Sequence, residues 1–228
     1  MNEKTKQYIG DWQHYKAFQQ LDELSAELGK LYSIKKIYPA KENIFKAFHF
    51  CQPKDLQVVM MSQDPYSSTY VSRKDGSTKC HATGLCFANN FDVPARSPSL
   101  KLLYKSIVDC NYMFLDDSMQ SIAEQGVLCL NSALTVEHGL SNSHQALWYE
   151  FTTDLLTEIS ERHTGMVYIL IGSRAGSFYE AINKNTSNIF TCEHPSRALH
   201  EGREWRSEEV WKQANAALWK ISKNQIKW

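Results

Sequence analysis

A chain of 228 residues with 25 Lys and Arg against 25 Asp and Glu has no formal net charge, and its 43% hydrophobic and 22% charged content is that of a globular protein. Its aromatic side chains (6 Trp, 11 Tyr, 10 Phe) exclude intrinsic disorder, and no apolar run approaches the ~18 residues needed to span a bilayer. A neutral total also argues against a nucleic-acid partner, since such domains are usually basic.

The N-terminus, MNEKTKQYIGDWQHY, has no apolar core of the signal-peptide kind. Phe18, Leu21, Leu24, Leu28 and Leu31 recur at helical spacing and predict one N-terminal helix. Leu56 to Met61 is a short apolar run stopped by Ser62-Gln63-Asp64-Pro65, which predicts a buried strand. Ser99 is the predicted cap of a helix through Leu102, Leu103, Tyr104 and Ile107. Val127 to Leu130 predicts another buried strand, ending at Asn131. Residues 145–162 carry Leu147, Phe151, Leu155, Leu156 and Ile159 and predict a helix. Met166 to Ile171 predicts a strand ending in Gly172-Ser173, and Arg174 to Lys184 a helix. Asn188 to Cys192 predicts a last strand, ending at His194-Pro195-Ser196. Residues 206–222 close as a helix with Val210, Trp211, Ala214, Leu218 and Ile221.

There is no low-complexity tract, long linker or fixed-period repeat, so residues 1–228 read as a single domain. Four apolar strands separated by helices predict a central four-stranded parallel sheet covered on both faces, a three-layer α/β/α fold. The six cysteines, at 51, 80, 86, 110, 129 and 192, include no C-x-x-C pair, which argues against zinc ribbons and dithiol motifs. With no signal peptide, they predict reduced thiols in an intracellular protein, cytoplasmic if bacterial or viral.

Ligands of open α/β sheets bind beyond the carboxyl ends of the strands. Here those ends carry Ser62-Gln63-Asp64-Pro65-Tyr66, Asn131, Gly172-Ser173 and His194-Pro195-Ser196. Asp64 reads either as a general base or cation stabiliser or as the cap of the turn before Pro65. His194 reads as an acid, a neutral donor or a core histidine. The Asn131 amide sets a donor beside an acceptor, which suits the edge of uracil or thymine and opposes that of cytosine. The turn at Gly172-Ser173 suits either a phosphate or plain packing. There is no G-x-G-x-x-G or Walker A after a strand, no G-x-S-x-G elbow and no zinc-deaminase signature.

These motifs resemble the uracil-DNA glycosylases of the first, widespread class over about residues 55 to 200. Ser62-Gln63-Asp64-Pro65-Tyr66-Ser67 resembles the family's water-activating motif GQDPYH, and Gly84-Leu85-Cys86-Phe87 its GLxF segment. Ser97-Pro98-Ser99-Leu100 resembles the Pro-rich loop. Gln125 to Asn131 with Leu134-Thr135-Val136 resembles QGVLLLNxxLTV, continued by Ser143-His144 and Trp148. Gly172-Ser173 with Ala175 resembles GSxA, and His194-Pro195-Ser196 opens like HPSPLS. The resemblance implies roles residue by residue. Asp64 holds the attacking water and stabilises the sugar cation. His194 donates to uracil O2. Asn131 reads N3 and O4, Phe87 stacks on the ring, Gln63 lines the pocket and Tyr66 excludes a 5-methyl group. Ser99, Ser173 and Ser196 grip phosphates. It further implies a base flipped from single- or double-stranded uracil-containing DNA, no metal or cofactor, a monomer, and a possible DNA-mimicking protein inhibitor.

Three departures stand out. Ser67 replaces the family His that helps orient the water, with His81 as a substitute. Asp64 and Phe87 lie 23 positions apart, longer than the family spacing, because of an extra segment within 68–82 holding Arg73, Lys74 and Lys79. This segment reads as a solvated loop or as a DNA-contacting one. His194-Pro195-Ser196-Arg197-Ala198-Leu199 lacks the family Pro-Leu, so Leu199 or Arg197 stands as the wedge that fills the hole left by the flipped base. Alternatives in function are a glycosylase shifted to another pyrimidine and a DNA-binding replication-accessory protein with weak catalysis. The zero net charge also conceals a pattern. Residues 116–163 carry eight acids and one cation, Arg162. Arg96, Lys101, Lys105, Arg197, Arg203 and Arg206 flank the motifs instead. This predicts a basic face at the strand ends and an acidic back.

Overall fold

The computed structural model describes residues 2–207 and 209–228. The strands are β1 (Ile37–Tyr38), β2 (Val58–Ser62), β3 (Thr69–Val71), β4 (Thr78–Cys80), β5 (Val127–Asn131), β6 (Val136–Glu137), β7 (Met166–Ile171) and β8 (Ser187–Cys192). The α-helices are α1 (Glu3–Ile9), α2 (Lys16–Gln19), α3 (Leu21–Ile34), α4 (Lys46–Phe50), α5 (Pro98–Asp109), α6 (Gln120–Ala123), α7 (Gln145–Arg162), α8 (Ser173–Gly176), α9 (Pro195–His200) and α10 (Val210–Lys220). Among the described residues no helix is long and apolar enough to cross a membrane.

Strands β5, β2, β7 and β8 pair in that order, all parallel, so the expected four-stranded sheet is present. Every residue of β2, β5 and β7 is buried, which explains their continuous apolar runs. Side chains alternate between two cores. Val59, Met61, Leu128, Leu130, Tyr168 and Leu170 face a cluster with Trp12, Phe18, Phe48, Trp148, Phe151 and Leu155, from the N-terminal helices and α7. Val58, Met60, Val127, Cys129, Val167 and Ile169 face α5, α6 and α10 through Leu103, Ile122 and Trp211. The two clusters are the outer interfaces of a three-layer α/β/α fold.

The chain enters the sheet at β2, crosses to β5 on one side and then passes over β2 to β7 on the other. Strand β2 is therefore the topological switch point, where a crevice opens at the carboxyl ends. Register fixes what meets there, since Ser62 lies beside Asn131 and Ile171 beside Cys192.

Several boundaries differ from the sequence expectation. The N-terminal helix breaks at Gln20. The break lets Phe18 enter an aromatic cluster, 4.9 Å from Phe48 and 5.2 Å from Phe151, while Leu21 and Leu28 cover the same core. The expected helix from Arg174 to Lys184 stops early: Ser177 Oγ bonds back to the Arg174 carbonyl (2.8 Å), and Tyr179–Ala181 form a 3-10 turn. The helix expected over 206–222 spans Val210–Lys220, with residue 208 outside the described residues. Ser97, and not Ser99, precedes the first turn of α5, with Pro98 at its first position. The extra segment is neither disordered nor featureless. It forms the antiparallel hairpin β3–β4.

Candidate active site

Two outgoing chains are stitched together past the sheet. Ser132 N–H donates to the Ser62 carbonyl (2.9 Å) and Ala133 N–H to that of Gln63 (3.1 Å). These bonds extend the β2–β5 pairing and fix Gln63, Asp64 and Asn131 relative to one another. A cleft of about 480 Å³ opens here, lined among others by Gln63, Asp64, Tyr66, Phe87, Asn131 and His194. Ser99 and Ser196 also line it. The structure thus gathers eight of the eleven residues singled out in the sequence.

Asp64 is gripped from three sides. Its carboxylate accepts from Gln63 Nε2 (2.9 Å), Ser141 Oγ (3.0 Å) and the Asn142 backbone N–H (2.6 Å). His194 is held through its other ring nitrogen. The Ser196 N–H can only donate, and it reaches Nδ1 at 3.2 Å. Nδ1 is therefore the acceptor and Nε2 carries the hydrogen, a tautomer assigned from the network. Nε2 lies 3.3 Å from Ser62 Oγ. Burial pushes the imidazole down to about 4, against the upward pull of the Asp64 carboxylate, so the ring is neutral at pH 7.

Gly172 makes room for that ring. Its φ of +92° is left-handed, and a Cβ there would lie 2.7 Å from His194 Cβ. Phe87 is buried at φ +60°, a conformation bulky residues rarely take, and its ring stacks toward His194 at 5.7 Å between centroids. Tyr66 is pinned at the back. Its hydroxyl donates to the Phe87 carbonyl (3.1 Å) and accepts from Ser97 Oγ (2.6 Å), and burial pushes its pKa up. The Asn131 Oδ1 is buried without a hydrogen-bond partner among the described residues. Such an acceptor is costly unless a ligand completes it.

Comparison with known proteins gives the family of the chain. The family model of the uracil DNA glycosylase superfamily matches residues 48–219. The chain belongs to this family. A uracil-DNA glycosylase of Aliarcobacter butzleri is 32% identical over 234 aligned residues, covering 100% of this chain and 96% of the relative. One of Pseudoalteromonas translucida is 35% identical, covering 84% of each. Among solved structures, mimivirus uracil-DNA glycosylase superposes with a TM-score of 0.80 at 22% identity, covering 92% of this chain and 81% of that one. A mimivirus UNG variant solved in complex with UGI superposes at 0.85 and 22% identity, covering 100% and 91%.

Against this glycosylase frame, three expected residues fall outside the cleft lining. Ser173 is exposed beside Gly172. Arg197 is exposed and pairs through Nε with Glu201 (2.9 Å). Leu199 is 42% exposed on α9, next to His200, which does line the cleft. His81 also lies outside, bonded to Ser68 Oγ (3.1 Å) and against the Tyr70 ring (4.9 Å). Sequence reasoning missed Ser141, Asn142 and His200 as lining residues. The one signal for Asn142 is its residue type, since Asn takes left-handed φ readily and here adopts +66°.

The basic flank is smaller than the sequence predicts. Arg96 pairs with Asp117 (2.8 Å), Lys105 with Asp109 (2.6 Å), and Arg203 with Glu193 (2.5 Å). Lys79 pairs with the buried Asp92 (2.8 Å). Among the described residues Arg73, Lys74, Lys101, Arg174 and Arg206 carry no ion pair. A groove on α3 and α7 is lined by Asp22, Glu23, Glu27 and Glu150, of which only Glu150 belongs to the acidic stretch 116–163. No group of three or more His, Cys, Asp and Glu among the described residues could hold a metal ion.

Proposed function

We propose that this cleft receives a uracil swung out of DNA and holds it between Asp64 and His194 while the N-glycosidic bond is hydrolysed. Family membership makes the chain a uracil-DNA glycosylase in class, a hydrolase of base excision repair. The roles that follow are read from the site.

The base stacks on Phe87. Asn131 accepts from N3–H with its buried Oδ1, the atom that has no partner among the described residues, and donates to O4. Cytosine offers the reversed pattern and loses both bonds. Tyr66 stands at the 5-position, locked by Ser97 and the Phe87 carbonyl, so thymine's methyl meets a wall that cannot retreat. As the bond to the sugar breaks, electrons pass to the base and a cation develops on the sugar. His194 Nε2–H donates to O2 of the uracil anion, and the Asp64 carboxylate faces the cation. Water adds to the sugar carbon opposite the departing base and gives its proton to Asp64. Ser67 stands where the family has His, and His81 is outside the lining. Asn142 supplies the second hold on that water: its Oδ1 is buried without a partner among the described residues, and its N–H already anchors Asp64. Ser99 and Ser196 stand in the first turns of α5 and α9 and line the cleft, where their side chains meet the phosphates of the strand.

The observation that carries this reading is the pairing of an anchored carboxylate with a neutral imidazole in one cleft. We read the chain as one catalytic domain working as an intracellular monomer, open to a DNA-mimicking inhibitor. The test is incubation with single- and double-stranded oligonucleotides carrying one uracil, followed by alkali. Strand cleavage at the uracil is expected. No cleavage at micromolar enzyme overturns the reading, and cleavage at another pyrimidine alone shifts the substrate.

A further inference from the structure

The hairpin β3–β4 and the loop after Phe87 form a second feature beside the cleft. Both leave the cleft wall and return to it: the hairpin between Ser68 and Ala82, the loop between Phe87 and Ser99. Asp92 ties them together. Its side chain accepts from Tyr70 Oη (2.6 Å), Ser72 Oγ (2.8 Å) and Lys79 Nζ (2.8 Å), and its carbonyl accepts from Arg73 N–H (3.0 Å). The Arg73 guanidinium also donates to the Pro94 carbonyl. With Asp92 and Val93 turned inward, Phe91 is turned out. It is 92% exposed, the most exposed large apolar side chain among the described residues.

That exposure is informative because its mount is rigid and its neighbours are cationic. Arg73 and Lys74 are exposed on the adjoining hairpin and carry no ion pair among the described residues, and Val71 is 59% exposed beside them. A projecting aromatic next to unneutralised cations is the pattern of a stacking platform for unpaired bases. Phe91 is four positions after Phe87, so the two lie within about 15 Å along the chain. A few nucleotides span that distance.

We propose that Phe91 is a platform on which an unpaired base of the substrate strand, a few nucleotides from the uracil, stacks while Lys74 meets the strand's phosphates. The occupant is single-stranded DNA, and the site rests on the glycosylase reading above. It gives the enzyme a hold on single-stranded substrate independent of the uracil cleft.

The experiment measures binding of a fluorescent single-stranded 15-mer, at about the site size of a stacking groove, so it reads the platform whether or not uracil release succeeds. Phe91→Ala should weaken binding between about 5-fold and 100-fold, and Phe91→Trp should restore it. Lys74→Ala should reduce the slope of log affinity against log salt by about 0.7. Binding of a uracil-containing trinucleotide, too short to span both sites, should be unchanged in every variant. Because Phe91 is solvent-exposed, its loss leaves the fold intact. Unchanged affinity of F91A for the long strand overturns the proposal, as does an equal loss on the trinucleotide.

Discussion

Gly172→Ala tests the site at its tightest point. The new Cβ would start 2.7 Å from His194 Cβ, and ordinary contact begins at 3.4 Å, so the two backbones must part by about 0.7 Å. Neither atom sits on a flexible tip, so no side-chain rotation relieves the contact. The backbone there, φ +92° and ψ 165°, lies in a region essentially confined to glycine and adds about 1–3 kcal/mol for a residue with a Cβ. A total cost of about 2–4 kcal/mol lowers Tm by roughly 4–15 °C in a chain of this size. The larger effect falls on catalysis. Moving a positioned donor by nearly an ångström costs about 100-fold, so kcat should fall by that order with little change in KM. The assay is steady-state uracil release from a single-uracil oligonucleotide at 25 °C, where the variant remains folded. Gly176→Ala is the control, because nothing lies within 4 Å of its added Cβ. A Gly172→Ala enzyme keeping kcat within about threefold of wild type would refute the argument that backbone proximity places His194.

Three further outcomes follow from the same geometry. Asp64→Asn keeps the bonds from Ser141 and the Asn142 N–H but removes the charge, so kcat should drop by orders of magnitude while the dissociation constant for DNA holds; equal loss of both would mark Asp64 as structural. Tyr66→Ala should release thymine from a thymine-containing oligonucleotide, and product absent by chromatography would place the methyl gate elsewhere. His194 sits at about 4 in the fold against an ordinary value near 6.5. Between those values the unfolded chain binds the proton and the folded one does not. Its contribution to stability is therefore complete above about pH 6.5 and is lost as pH falls toward 4. His194→Gln should flatten that portion of the curve of Tm against pH, and an unaltered curve would remove this assignment.

The parts of the fold legible in the sequence were those decided locally. Strands β2, β5 and β7 lie between layers, so both faces are apolar and each reads as an unbroken run. The residues at their carboxyl ends were legible for the same reason, since a polar stop after such a run can face only the crevice. The hairpin was not, because what orders it is Asp92, a residue 13 to 22 positions from its partners. The fate of the cations was hidden likewise. Arg96 and Asp117, or Arg203 and Glu193, meet only in three dimensions. The helix after Ser196 was not legible either. Pro195 at a first helical position turns the segment into α9, which buries Ala198 and leaves Leu199 and His200 outward.

The bond from Ser196 N–H to His194 Nδ1 does more than choose a tautomer. It is the first link of α9, so the imidazole proposed to donate to the uracil is also the latch of a helix. Adding a proton to Nδ1 would set two donors face to face at the Ser196 N–H, and the hold left on that nitrogen would be the Ser196 Oγ, 2.7 Å away. Ring charge and the first turn of α9 are thus coupled. Acid strong enough to charge the ring would also loosen the turn that carries His200, a residue of the cleft lining.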